Sequence, residues 1–136
     1  MIAPCRVKDI DAVLDLWKRA GAAPSVTDDG EGVRRRLKRD RQLFVLAWAG
    51  ARLAGSLIGG WDGWRASMAR LAVDPAYRRH GIAKRLVAAV EAQLRQMGAK
   101  RIGCIVLEGN EGGTAFWRAA GYWRDAQTRR YVKDLS

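Results

Sequence analysis

The stretch Val73-Asp74-Pro75-Ala76-Tyr77-Arg78-Arg79-His80-Gly81-Ile82-Ala83 carries the residue types best suited to holding a phosphorylated ligand. Pro75 ends a strand, because it cannot donate a ladder hydrogen bond. Gly81 lets the backbone turn where a side chain would obstruct it. Ala83 keeps the first helical turn small. The spacing predicts several free amide N–H groups at the positive end of a helix, a site for phosphate or pyrophosphate. Arg78, Arg79, Lys84 and Arg85 add positive charge there, and His80 can donate to phosphate. The competing account is an ordinary loop and helix cap in a basic protein.

Other site chemistries find less support. There is no Gly-x-x-x-x-Gly-Lys-Ser/Thr run, so this is not a P-loop, and no Gly-x-Gly-x-x-Gly followed by an acid at dinucleotide spacing. Two cysteines, Cys5 and Cys104, and one histidine, His80, build neither a disulfide framework nor a zinc site of the usual spacing. Cys104 falls mid-strand and reads as a small buried hydrophobe. Asp62 and Gly63 mark a tight turn, and Asp62 there is either a turn residue or a carboxylate for an ammonium group. Trp61 and Trp64 flank that turn, whereas Trp17 and Trp48 read as core.

The elements that must position this chemistry alternate helix and strand. Residues 7–20 place Ile10, Val13, Leu14 and Trp17 on one helical face, with Asp9 able to cap the start and Gly21 the end. A strongly basic second helix is expected over 31–39. Residues 43–49 form an apolar strand, 53–61 return, and 67–73 follow the Asp62-Gly63 turn, giving an antiparallel meander. The best helix runs over 81–97, where Ile82, Leu86, Val90 and Leu94 repeat every four residues beside Val87 and Met97. Gly98 ends it. A buried strand over 101–107 then pairs in parallel through a right-handed crossover. A short helix over 113–120 ends at Gly121, and residues 122–135 supply a final hairpin. The expected fold class is a mixed α/β domain with an antiparallel half and a parallel half, a single domain over 1–136.

The 136 residues suit one domain, and 49% hydrophobic with 29% charged residues is the balance of a globular protein. No apolar run approaches the ~20 residues that span a bilayer. Acids within the first dozen positions argue against a signal peptide, so a cytoplasmic location is expected. Twenty-five Lys and Arg against 14 Asp and Glu give a formal charge of +11, which favours anionic partners without choosing among them.

Arg78-Arg79-His80-Gly81-Ile82-Ala83 resembles the signature of the GCN5-related N-acetyltransferases (GNAT): Gln or Arg, two residues, Gly, one residue, then Gly or Ala. The likeness takes in Leu71-Ala72-Val73-Asp74-Pro75 before it and the long helix after it. It continues, with imperfect spacing, in Asn110-Glu111-Gly112-Gly113-Thr114-Ala115-Phe116-Trp117-Arg118-Ala119-Ala120-Gly121-Tyr122. The segment Gly59-Gly60-Trp61-Asp62-Gly63-Trp64-Arg65 resembles the hairpin of YpeA-type bacterial members.

The resemblance implies a GNAT fold, in which a mixed central sheet opens at a splayed parallel strand pair and is flanked by helices. It implies acetyl-CoA as donor, a primary amine as acceptor, direct attack in a ternary complex, and no metal. The splayed pair would be 67–73 and 101–107. Backbone groups of Leu71, Ala72 and Val73 would hold the pantetheine arm. Arg78, Arg79, His80, Gly81, Ile82, Ala83 and Lys84 would hold the pyrophosphate, and Asn110, Phe116 and Trp117 would lie along the arm. Asp62, Trp64 and Arg65 would line the acceptor side. The acceptor is a small molecule or a peptide, and dimers are common among similar proteins.

Transfer needs a deprotonated amine, a polarised carbonyl and a proton for the leaving thiolate. The Val73 N–H, near a strand kink, can serve as an oxyanion donor. Family members often carry a Tyr where this chain has Trp117, and an indole N–H is a very poor acid. Tyr122 is the next nearest phenol, and Glu108, past the strand end, can act through water. Two other classes compete. A nucleic-acid-binding module rests on the charge and on the basic run 34–41, which lacks aromatic interleaving and a reading motif. A CoA-binding domain without turnover rests on the missing Tyr at 117.

Overall fold

A computed structural model describes residues 1–135, which form two compact units, one over Met1–Ile105 and one from Val106 onward. In the first, strand β1 (Ile2–Pro4) leads through a 3-10 turn into helix α1 (Ile10–Arg19) and helix α2 (Gly30–Arg39). Strands β2 (Phe44–Ala49), β3 (Arg52–Trp61) and β4 (Ala66–Val73) follow, then helix α3 (Ile82–Met97) and strand β5 (Ile102–Cys104). The five strands lie in sequence order in one sheet, antiparallel from β1 to β4 and parallel between β4 and β5. This is the mixed α/β architecture that the sequence predicts.

Alternation along β3 places successive residues on opposite sheet faces. Ser56 meets Trp17 of α1, its Oγ accepting the indole N–H at 2.9 Å. Gly55 and Gly59 meet α3 on the other face. A Cβ at Gly59 would stand 2.6 Å from Cγ1 of Val90, so only glycine lets α3 come down onto the strand. The predicted apolar stripe of α3 is the buried one: Ile82, Leu86, Val87, Val90 and Leu94. Fully burying each such leucine contributes roughly 1.5–3 kcal/mol. On α1 the buried set is Ile10, Val13, Leu16 and Trp17, so Leu16 enters the core and the expected Leu14 is only partly buried at its margin.

Several expectations are corrected. The strand expected over 101–107 spans only Ile102–Cys104, and Ile105 and Leu107 are exposed. Its pairing with β4 ends at Met68 opposite Cys104, and beyond that point there is no ladder to hold the backbone extended. The hairpin expected over 122–135 is absent: no strand occurs among those described residues. That stretch carries Arg124, Asp125, Arg129, Arg130, Lys133 and Asp134 and lacks the alternation that gives a strand an apolar face. Strand β1, too short for a periodic signal, is an addition. Asp9 precedes α1, but its carboxylate accepts the Arg6 N–H at 2.9 Å and so caps the preceding 3-10 turn.

The second unit contains helix α4 (Glu111–Ala119). It starts two residues earlier than predicted because Asn110 caps it, its Oδ1 accepting the Gly113 N–H at 2.9 Å. Phe116, Trp117 and Tyr122 form an edge-to-face series with centroids 5.2 and 4.8 Å apart, and the Tyr122 N–H donates to the Trp117 carbonyl.

Candidate active site

Strand β4 supplies an open edge. The register with β3 runs from Ser56 opposite Ala72 to Ile58 opposite Ala69, so β4 carries one extra residue in this interval, a β-bulge. Arg70 sits in it with φ +57°. Its carbonyl accepts the Ser56 hydroxyl at 2.9 Å, and its guanidinium lies 5.3 Å from the Trp17 ring centre, bonds the Ala23 carbonyl at 2.7 Å and pairs with Asp28. Past the bulge, the Asp74 N–H donates to Ala54 of β3. Alternation then turns the N–H and C=O of Leu71 and Val73 to the opposite side, where β5 has already ended. The two residues expected to hold an amide-bearing arm therefore lie on an edge with no paired strand among the described residues.

The strand runs directly into the predicted anion loop. Asp74 caps a 3-10 turn (Pro75–Tyr77), its Oδ1 accepting the Ala76 N–H at 2.9 Å. Its Oδ2 takes Arg52 at 2.9 Å and Arg19 at 3.2 Å. The Ala76 amide bond, with Arg52 and Arg19 behind it, outweighs burial and holds this carboxyl below its usual range. Arg79 and Gly81 both adopt the left-handed region, at φ +67° and +74°, and turn the chain into α3. Among the described residues no backbone N–H from Arg78 to Lys84 meets a protein acceptor; the ladder of α3 opens with Arg85 N–H to Gly81 C=O at 3.1 Å. The first turn of this sixteen-residue helix holds no acid. Arg79, Lys84 and Arg85 have no ion-pair partner among the described residues, whereas Arg78 donates to the Ala20 carbonyl at 3.3 Å. His80 is exposed, its ring edge-on to Tyr77. Unsatisfied amides, a positive helix end and free cations together fit a diphosphate.

On the β3–β4 hairpin, Asp62 Oδ1 accepts the N–H groups of Arg65 and Trp64 at 2.6 and 2.8 Å. Those bonds, Arg65's first, hold its carboxyl below the ordinary range, so it is an ionised turn residue. Trp64 is 75% exposed, with the Arg65 guanidinium 4.3 Å from its ring centre. In the second unit Glu108 lies exposed in a turn before Asn110. A shallow cavity of about 230 Å³ is lined by Gly109, Asn110, Glu111, Thr114, Ala115 and Arg118.

Two alternatives lose ground. Burial raises the Cys104 thiol, and burial with Asp9 nearby pushes Cys5 up to about 12, so neither is a ready thiolate. The basic run 34–41 is partly used by the protein itself: Arg35 pairs with Glu31, Arg36 bonds the Gly59 carbonyl, and Arg39 bonds Trp61 and Asp40. Among the described residues no group of three or more His, Cys, Asp or Glu is placed to hold a metal. Among the described residues no helix is long and apolar enough to cross a membrane. Residues that sequence reasoning passed over are Arg19, Arg52, Ser56, Arg70 and Asp74; of these only Asp74, an Asp before Pro, carried a local capping signal.

The bulged strand, its short parallel partner and the amide-lined helix start that follows belong to a fold with known counterparts. Among solved structures it is shared by Ard1 from Thermoplasma volcanium, with a TM-score of 0.84 at 18% identity over 93% of this chain and 84% of that one. It is shared too by a PaiA N-acetyltransferase from Thermoplasma acidophilum in complex with coenzyme A, with a TM-score of 0.79 at 18% identity over 88% and 87%. The sequence profile of the acetyltransferase (GNAT) family matches residues 10–122. An acetyltransferase of Pectobacterium atrosepticum is 35% identical over 106 residues, 78% of this chain and 75% of that protein. One of Sodalis glossinidius is 31% identical over 117 residues, 86% and 82%. The chain belongs to the GNAT family and is an acetyltransferase.

Proposed function

We propose that the protein transfers the acetyl group of acetyl-CoA to a primary amine by direct attack in a ternary complex. The observation that carries this reading is the run of acceptor-free amides from Arg78 to Lys84, immediately downstream of a strand edge left open past Met68. The family match across 10–122 supports residues 1–136 acting as one domain.

Acetyl-CoA supplies the activated acetyl thioester when bound. The amides from Arg79 to Lys84, with the side chains of Arg79, His80 and Lys84, hold the diphosphate. Arg78 contributes its amide, its guanidinium being directed to Ala20. Leu71 and Val73 offer backbone donors and acceptors to the arm, beside Ala72, and the Val73 N–H polarises the thioester carbonyl. Asn110, Phe116 and Trp117 are assigned to the arm. Glu108, through water, takes the proton of the acceptor ammonium, and the Tyr122 phenol returns one to the thiolate. Asp62, Trp64 and Arg65 are assigned to the acceptor side, where Trp64 offers an apolar wall and Arg65 a cation.

Thiol release from acetyl-CoA in the presence of an amine panel, followed optically, with calorimetry of CoA binding, tests the reading. Saturable CoA binding with amine-dependent thiol release is expected. CoA uptake with no release would leave only a binding domain, the reading that Trp117 in place of a Tyr favours.

A further inference from the structure

We propose that Asp74 is a positioning residue for the diphosphate loop: braced by Arg19 and Arg52, it sets the direction of the amides that receive the donor's diphosphate. The inference rests on the acetyl-CoA reading above. It starts from the number of elements that converge on one carboxylate. Arg19 is the last residue of α1, Arg52 the first of β3, and Ala76 lies inside the turn that begins the loop. Asp74 Oδ2 accepts from Arg52 Nη2 at 2.9 Å and Nε at 3.2 Å, and faces Arg19 Nη2 at 3.2 Å. Its Oδ1 accepts from Ala76. Its own N–H donates to Ala54, and its carbonyl accepts the Tyr77 N–H, each at 2.8 Å. The residue thus engages neighbours through its backbone and through both carboxylate oxygens, with its side chain only 4% exposed.

The acceptor-free amides begin at Arg78, one residue after this braced turn. Hydrogen bonds to a diphosphate are directional, so their strength depends on how the turn presents the following backbone. A bare carboxylate so close to a diphosphate site would repel the ligand. Two guanidiniums offset its charge and leave its directional effect. Arg19 also donates to the Leu53 carbonyl at 3.1 Å, so the brace itself is anchored on β3.

Asp74→Asn is nearly isosteric and keeps an oxygen for Ala76, but turns an amide NH₂ toward two guanidiniums. CoA affinity is measured by calorimetry. Steady-state transfer is measured with acetyl-CoA and with S-acetyl-N-acetylcysteamine, a thioester that lacks the diphosphate, using the amine that gives the fastest release with the wild type. The expected result is a CoA affinity about tenfold weaker, a KM for acetyl-CoA raised in step, and kcat within about twofold. With the truncated thioester kcat/KM should stay within about twofold of wild type, because no diphosphate is read. An equal fall with both donors would mean a general structural defect and would overturn the proposal. So would an unchanged CoA affinity. Wild type that takes up no CoA sinks the acetyl-CoA reading and this inference together; wild type that binds CoA no better than the variant sinks the inference alone. Should Asp74→Asn fail to fold, Arg52→Gln, at a half-exposed side chain, carries the same comparison with an expected change of about threefold.

Discussion

The Ser56 hydroxyl donates to the carbonyl of Arg70 at 2.9 Å while accepting the indole N–H of Trp17 at the same distance. Ser56 is fully buried, so one hydroxyl ties helix α1 to the bulge that opens strand β4. Ser56→Ala removes both bonds and strands a buried indole donor and a bulge carbonyl. A loss of about 1–3 kcal/mol is expected in urea unfolding, from the desolvated groups left without partners.

Gly59 sets how closely α3 approaches the sheet. Gly59→Ala drives a Cβ against Val90, and because both sit in packed elements neither can move freely. Overpacking of this kind costs about 1–3 kcal/mol. A chemical-denaturation midpoint equal to wild type would show that α3 shifts without penalty.

Ala83→Glu separates ligand binding from folding. A carboxylate in the first turn of α3 favours the helix, so stability should hold or rise by about 0.3–1 kcal/mol. The same charge opposes a diphosphate at the amides from Arg79 to Lys84. Like charges at close range cost several kcal/mol, so calorimetry should show CoA affinity reduced about a hundredfold or more.

Tyr122→Phe tests the proposed acid. The ring that stacks edge-on against Trp117 at 4.8 Å is kept. Removing the phenolic proton should lower kcat by about 10²-fold if Tyr122 protonates the thiolate. An unchanged kcat at saturating acetyl-CoA would pass the role to water.

Asp74 and Asp62 give the protein a predictable acid response. Amide bonds from Ala76 hold one carboxyl below its usual range and those from Arg65 and Trp64 hold the other; Arg52 and Arg19 assist the first, Arg39 the second, and Asp15 shares Arg19. A carboxyl with a depressed folded-state pKa adds stability above its unfolded pKa of about 3.9 and loses it as pH falls through the folded value. The thermal midpoint should therefore be insensitive to these two groups between about pH 5 and 7 and drop at more acid pH. Asp62→Asn should flatten the acid limb.

Much of the fold was legible because it depends on near neighbours. The four-residue repeat of α3, the Asp62-Gly63 turn and the Arg78–Ala83 loop are read from spacing alone; the helix and the turn are found as expected, and among the described residues the loop's amides meet no protein acceptor. The family signature is likewise a local pattern. Residues distant in sequence decided the rest. Where β5 stops is set by the end of its ladder with β4 at Met68, not by the apolar run through Leu107. A strand over 122–135 needed a partner that local propensity cannot supply. Arg70 adopts a left-handed backbone only because Ser56, Trp17, Ala23 and Asp28 hold it from other elements. Asp74 became the centre of a brace only when α1 and β3 brought Arg19 and Arg52 to it. Sequence determines which groups can bind an anion; tertiary contacts determine which of them are spent on the protein and which are left to face a ligand.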